Sequence, residues 1–81
     1  MKAGYEPKTL ATAMAHTVEE CGEVVAAIGK TLRFGLYSSN PELPESEREK
    51  NIEWVDRELI DLEESVVRLR KMIAIVRELA S

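Results

Sequence analysis

Apolar and small residues recur at helical spacing through the first half of the chain. They are separated by alternating steps of four and three residues, at Leu10, Met14, Thr17, Cys21, Val24, Ile28 and Thr31. This alternation places the side chains on one face of an α-helix. Gly35 is suited to end such a helix. The pattern predicts a first helix over about residues 8–34.

The second half repeats the same alternation after a break. Glycine, serine, asparagine and proline are concentrated in residues 35–45, which predicts a loop. Ser46 followed by Glu49 matches a capping box, so we expect the second helix to span about residues 46–79. Its apolar positions are Ile52, Val55, Leu59, Leu62, Val66, Leu69, Ile73 and Val76. We find no strand-like pattern in the sequence.

Two long helices joined by a short loop pack as an antiparallel hairpin. We therefore predict one all-α domain over residues 1–81. A chain of this size buries only about 60% of the surface exposed by its unfolded form, so it usually needs a partner, a metal or disulfides. Ile60 and Val67 lie about 120° round from the apolar face of the second helix, where a single hairpin leaves them exposed. We expect a homo-oligomer, dimer or tetramer, that completes a four-helix-type bundle, although scattered exposed aliphatic residues are also ordinary.

Composition limits the binding partners and the cellular location that we expect for this protein. The chain of 81 residues carries 15 acidic and 11 basic side chains, a net charge of −4. This charge argues against nucleic acid polymers and anionic membranes as partners. The single cysteine, Cys21, excludes an internal disulfide, and we expect it to pack as a small apolar group. The absence of a signal peptide or membrane-spanning run predicts a cytoplasmic protein.

Two acidic pairs occupy matching places on the two helices. Glu20 and Glu23 are three residues apart, as are Glu58 and Asp61, so each pair shares a helix face. Both pairs lie about 90° to the same side of their apolar faces and roughly 19 Å from the loop. In an antiparallel hairpin the four carboxylates therefore converge. Their repulsion calls for a cation, and oxygen ligands favour Mg²⁺ or Mn²⁺. The simpler alternative is that these acids only solvate a helix face.

The acidic segments resemble those of a known family. Glu19-Glu20-Cys21-Gly22-Glu23 and Glu58-Leu59-Ile60-Asp61 resemble the EExxE and ExxD motifs of the MazG-like all-α nucleoside triphosphate pyrophosphohydrolases. Arg33-Phe34-Gly35 adds to the likeness, which covers about residues 9–70 and is strongest with small phage-type, single-domain members.

The resemblance implies a fold, a cofactor and a reaction. It implies a helical bundle completed by oligomerisation, with Mg²⁺ held by Glu20, Glu23, Glu58 and Asp61. Glu19 would orient a water or a second metal. The activity implied is hydrolysis of an NTP or dNTP to the monophosphate and pyrophosphate, for nucleotide-pool clean-up. The chain departs from the family pattern in the long interval of 34 residues between Glu23 and Glu58, and in Ser65, where many relatives carry a larger group.

Four further residues are candidate substrate contacts. Lys30 and Arg33 follow Glu23 on the first helix and are candidates to bind outer phosphates, the alternative being ordinary cations at a helix C-terminus. Trp54, one turn before Glu58, is a candidate to stack a nucleobase, or else packs in an interface. His16, one turn before Glu20, either contacts substrate or is a surface residue.

Arg57 and Arg68 flank the acids of the second helix. For them we favour intrahelical pairing with Glu53 and Glu64 over phosphate binding.

Two other functions compete with hydrolysis as interpretations of the sequence. A di-iron carboxylate bundle needs Glu-x-x-His pairs, and the chain has none. The stronger alternative is a non-catalytic helical oligomer that binds nucleotides or proteins. Magnesium dependence distinguishes it from the enzyme.

Overall fold

The computed structural model describes residues 8–81 and is all-helical over that range. Helix α1 spans Leu10–Phe34, a short 3₁₀-helix spans Glu45–Glu47, and helix α2 spans Asn51–Ala80. The two long helices pack against each other as a hairpin, which confirms the all-α prediction. In residues 8–81 we find no helix that is both long and apolar enough to cross a membrane.

Helix α1 is capped at both ends by local hydrogen bonds. The Thr9 hydroxyl accepts a bond from the Thr12 amide, and the Thr9 amide donates to the Thr12 hydroxyl, each at 3.1 Å. This reciprocal pair begins the helix two residues after the predicted start. At the other end Gly35 has a positive φ of 101°, and its amide donates to the Thr31 carbonyl at 2.8 Å. The predicted end of the helix is confirmed.

Helix α2 begins at Asn51, five residues later than the capping box at Ser46 predicts, so that boundary is wrong. Ser46 lies in the 3₁₀-helix instead. The Asn51 amide donates to the Ser38 carbonyl at 2.8 Å, and the Asn51 side-chain amide donates to the Gly35 carbonyl at 2.9 Å. These bonds to the preceding loop decide where the helix begins.

Arg48 makes hydrogen bonds within the connecting loop. Its guanidinium donates to the Leu43 carbonyl at 2.8 Å and to the Pro41 carbonyl at 3.0 Å. Arg48 itself is extended, with ψ 122°. The chain from Arg48 to Lys50 therefore lies against the loop and cannot continue the helix towards Ser46.

The helices face each other through small and polar residues. The buried positions are Ala13, His16, Glu20, Val24 and Ala27 of α1 with Asn51, Glu58 and Ser65 of α2. Both contact faces are rotated by about 60° from the predicted apolar faces, towards the acidic pairs. Small side chains such as Ala13 and Ala27 let the two backbones approach closely. Cys21 is consequently exposed, so the prediction that it packs inside the hairpin is wrong.

The rotation leaves a broad apolar face on one side of the hairpin. It consists of Met14, Val18, Cys21, Val25, Ile28 and Leu32 of α1 with Ile52, Leu59 and Val66 of α2, all exposed. In both helices these residues lie about 100° from the interhelical contact in the same rotational sense, and antiparallel helices then present them on the same side. Ile60 and Val67 are exposed elsewhere on α2.

Candidate metal centre

The acidic residues of the two helices meet near the middle of the hairpin. Carboxylate oxygens of Glu20, Glu58 and Asp61 lie within 4.8 Å of one another. A second group with the same spacing consists of Glu19, Glu20 and Glu23, so Glu20 belongs to both. The structure thus brings together all five of the acids that the sequence singled out.

Glu20 is the most deeply placed of these acids. Glu20 is 0% exposed, and its Oε2 has no hydrogen-bond partner among residues 8–81. A nearby cationic candidate is His16, whose Nε2 lies 3.2 Å from Glu20 Oε1. Burying a carboxylate without hydrogen bonds costs several kcal/mol unless an opposite charge is present. Glu20 is therefore placed for a cation.

Glu58 of α2 is, like Glu20, a buried carboxylate. It is buried, and Oε2 has no hydrogen-bond partner among the described residues. Burial raises the pKa of the Glu58 carboxyl, and the neighbouring Glu23 raises it further through a shared hydrogen bond and through its charge. Arg57 and Trp54 act in the opposite direction. The charged form of Glu58 is therefore disfavoured, first by burial and then by the neighbouring Glu23.

A buried polar network lies behind Glu20. His16 is 3% exposed, and its Nδ1 is 3.1 Å from the Ser65 hydroxyl. That hydroxyl is also 2.8 Å from Thr17 Oγ1. When Ser65 donates to Nδ1, the ring proton is on Nε2, which faces Glu20. The structure thus places His16 between the helices, at the back of the acidic cluster.

Ser65 was not among the predicted site residues. The feature that could have identified it is its spacing, because Ser65 follows Glu58 by seven residues and so shares its helix face. The sequence does not show which residue a serine at this position contacts. Only the opposite helix supplies that partner, His16.

A groove of about 780 Å³ adjoins the acids on the side of the loop. Its walls include Lys30, Phe34, Asn40, Asn51, Trp54 and Arg57. Two predicted substrate contacts, Lys30 and Trp54, therefore line one cavity. Arg33 instead lies with its guanidinium 5.0 Å from the centre of the Phe34 ring.

Arg57 connects the groove with the acidic cluster. Its Nη1 lies 3.0 Å from Glu58 Oε1, and its Nη2 lies 2.8 Å from Glu49 Oε1. The Arg57 Nε also donates to Glu49, at 3.2 Å. Glu49 raises the pKa of Arg57, which keeps the guanidinium charged. Arg57 thus pairs with glutamates, as we favoured, but its partners are Glu49 and Glu58 rather than Glu53.

Comparison with protein-family models, curated proteins and solved structures finds no match to this chain. A functional assignment therefore rests on the residues and on their geometry.

Proposed function

We propose that this protein is a Mg²⁺-dependent nucleoside triphosphate pyrophosphohydrolase that acts in nucleotide-pool clean-up in the cytoplasm. The observation that supports it best is Glu20, which is fully buried, has no hydrogen-bond partner for Oε2 among the described residues, and faces Glu58 and Asp61 within 4.8 Å. The EExxE-like and ExxD-like segments supply these same residues. An acidic surface that only solvates a helix has no reason to bury a carboxylate in this way.

The donor set suits the proposed ion. Both acidic groups, as found among residues 8–81, offer carboxylate oxygens only, which Mg²⁺ and Mn²⁺ prefer. Glu20, Glu23, Glu58 and Asp61 would hold Mg²⁺. The bound ion would neutralise phosphate charge and lower the pKa of a water. Glu19, exposed at the edge of the cluster, would orient the water or a second metal.

The reaction consumes one water and breaks the α–β phosphoanhydride bond. The products are a nucleoside monophosphate and pyrophosphate, so no covalent intermediate on the protein is needed. Arg57 and Lys30 would bind the substrate at the groove side of the cluster. A spare carboxylate would accept the proton of the water. His16 would hold Glu20 in place from behind.

We also propose that a second copy of the chain covers the apolar face. The residues of this face are exposed along both helices. A chain of this size buries a small fraction of its surface by itself and usually needs a partner, a metal or disulfides. The acids and the groove lie on the opposite side of the hairpin, so this dimer leaves them open.

The test of the reaction is product analysis. The purified protein is incubated with Mg²⁺ and a panel of ribo- and deoxyribonucleoside triphosphates, and the products are separated by anion exchange. We expect monophosphate and pyrophosphate. Diphosphate and phosphate would contradict the reaction class. No turnover with Mg²⁺ or Mn²⁺ would favour the non-catalytic binding module.

Variants then assign the activity to the cluster. Glu20→Gln and Asp61→Asn should abolish turnover and leave helicity and oligomer size unchanged. Glu63→Gln, an exposed acid of α2, is the matched control and should keep full activity. Unfolding of the two cluster variants would instead give the acids a structural role.

A further inference from the structure

The groove and the acidic cluster form one continuous surface. Arg57 lines the groove and contacts Glu58 at 3.0 Å. Trp54, also in the groove wall, precedes Glu58 by one helical turn, which is about 6 Å along α2. A nucleotide whose phosphates are at the acids therefore has either its nucleoside or its outer phosphates in the groove.

The charges of the groove decide between these two ends. Lys30 and Arg57 are the cations of its wall, and they are opposed by the carboxylates of Glu42, Glu47 and Glu49. Three negative charges against two positive ones disfavour a polyphosphate tail. Aromatic, amide and hydroxyl groups make up much of the remaining wall and suit an uncharged base and sugar.

Trp54 is the aromatic residue better placed to stack a base. The Phe34 ring already has two cations near it, with Lys30 Nζ at 5.5 Å and the Arg33 guanidinium at 5.0 Å from its centre. Trp54 is half-buried, so part of its indole surface is accessible. Base stacking on such a surface is tolerant of base identity.

We propose that the groove binds the nucleoside end of the substrate, with the base stacked on Trp54 and Arg57 contacting the phosphate next to the sugar. This inference rests on the proposed function and specifies the orientation of the bound substrate. The base points towards the loop between the helices. The outer phosphates point away from the loop, beyond the acidic cluster.

The first test uses the single tryptophan as a reporter. Nucleoside monophosphates and pyrophosphate are titrated separately, each with Mg²⁺, into the wild-type protein while Trp54 emission is recorded. We expect the monophosphates to quench the emission and pyrophosphate to leave it nearly unchanged. Equal responses to both ligands would overturn the assignment.

The second test measures affinity by calorimetry. Trp54→Ala should weaken monophosphate binding about five- to hundredfold, the effect of removing one stacked aromatic, and weaken pyrophosphate binding much less. Trp54→Phe should restore most of the loss. Tyr37→Ala, an exposed aromatic on the loop outside the groove, is the matched control and should change neither affinity.

These results are separable from the test of the reaction. A protein that makes pyrophosphate but binds monophosphates independently of Trp54 keeps the proposed function and loses the groove assignment. A protein that shows no hydrolysis, yet binds monophosphates through Trp54, keeps the groove as a nucleoside site and loses the reaction.

Discussion

Buried carboxylates dominate the chemistry at the scale of single residues. Glu20 and Glu58 are both buried and close together, although burying a polar group without full hydrogen bonding is unfavourable. Such an arrangement weakens the metal-free fold and is compensated when a cation binds. Stability and metal affinity should therefore change in opposite directions when one of these acids is neutralised.

Glu58→Gln should raise the melting temperature of the metal-free protein at neutral pH and remove most of the stabilisation by Mg²⁺. The pKa of Glu58 is raised above its ordinary 4.5, so the folded state binds the proton more tightly than the unfolded chain does. The wild-type protein in EDTA should accordingly lose stability as pH rises through the folded-state pKa, and the variant should lose less. Thermal melts with EDTA and with Mg²⁺ measure this. Equal stability of the variant and of Glu63→Gln in EDTA would argue against strain at Glu58.

His16→Ala should weaken Mg²⁺ binding about 10- to 100-fold, because His16 holds Glu20 from behind and is itself held by Ser65. Ser65→Ala should have a smaller effect in the same direction. Calorimetric titration with Mg²⁺ measures both, with circular dichroism as the check on folding. Unchanged Mg²⁺ affinity with a raised KM for the nucleotide would make His16 a substrate contact instead.

At the scale of elements, a residue of the segment before α2 determines the contacts of an arginine in that helix. Glu49 precedes the helix and binds Arg57, and Arg57 also reaches Glu58 at the edge of the acidic cluster. The Arg57–Glu49 pair is partly exposed, so it contributes less than about 1 kcal/mol to stability. Its larger expected effect is on substrate binding, because Glu49 would compete with an incoming phosphate for the guanidinium.

Glu49→Gln should therefore lower the KM for the nucleotide several-fold, since Arg57 is released for the phosphate. Glu47→Gln removes the same charge from the groove without touching an arginine contact, so it is the matched control and should have a smaller effect. Steady-state kinetics at low salt distinguish the two. A higher KM for Glu49→Gln would show instead that Glu49 serves to hold the loop.

The whole molecule has two chemically different sides. The apolar face lies on one side, and the acids with the groove lie on the other. The described hairpin measures 52 × 24 × 14 Å, which is too thin to bury both. The proposed oligomerisation through the apolar face would cover that face without blocking the acids or the groove.

Val25→Asp, in the centre of the apolar face, should convert the oligomer to a less stable monomer, because a charge in an apolar interface is strongly unfavourable. Val67→Asp, on the other exposed surface of α2, should leave a dimer intact. Light scattering after size exclusion measures the mass of each. A monomeric wild-type protein would contradict the proposed interface, and dissociation of a tetramer to dimers by Val67→Asp would assign Val67 to a second interface.

Local signals were sufficient for much of this protein. Helical periodicity predicted the existence of both helices, and Gly35 predicted the end of α1, where the structure gives it a positive φ. The meeting of Glu20 with Glu58 and Asp61 also followed from the sequence, because helical spacing and antiparallel packing leave few other arrangements. These features depend on neighbours within a few residues or on the hairpin topology.

Only the tertiary structure decided what depends on distant partners. The start of α2 at Asn51 follows from hydrogen bonds to residues 35 and 38, which overrule the capping signal at Ser46. The rotation of both helices came from the close packing of small side chains, and it buried His16 and exposed Cys21. Periodicity identifies the apolar face of a helix, but it does not say whether the neighbouring helix or another chain covers that face.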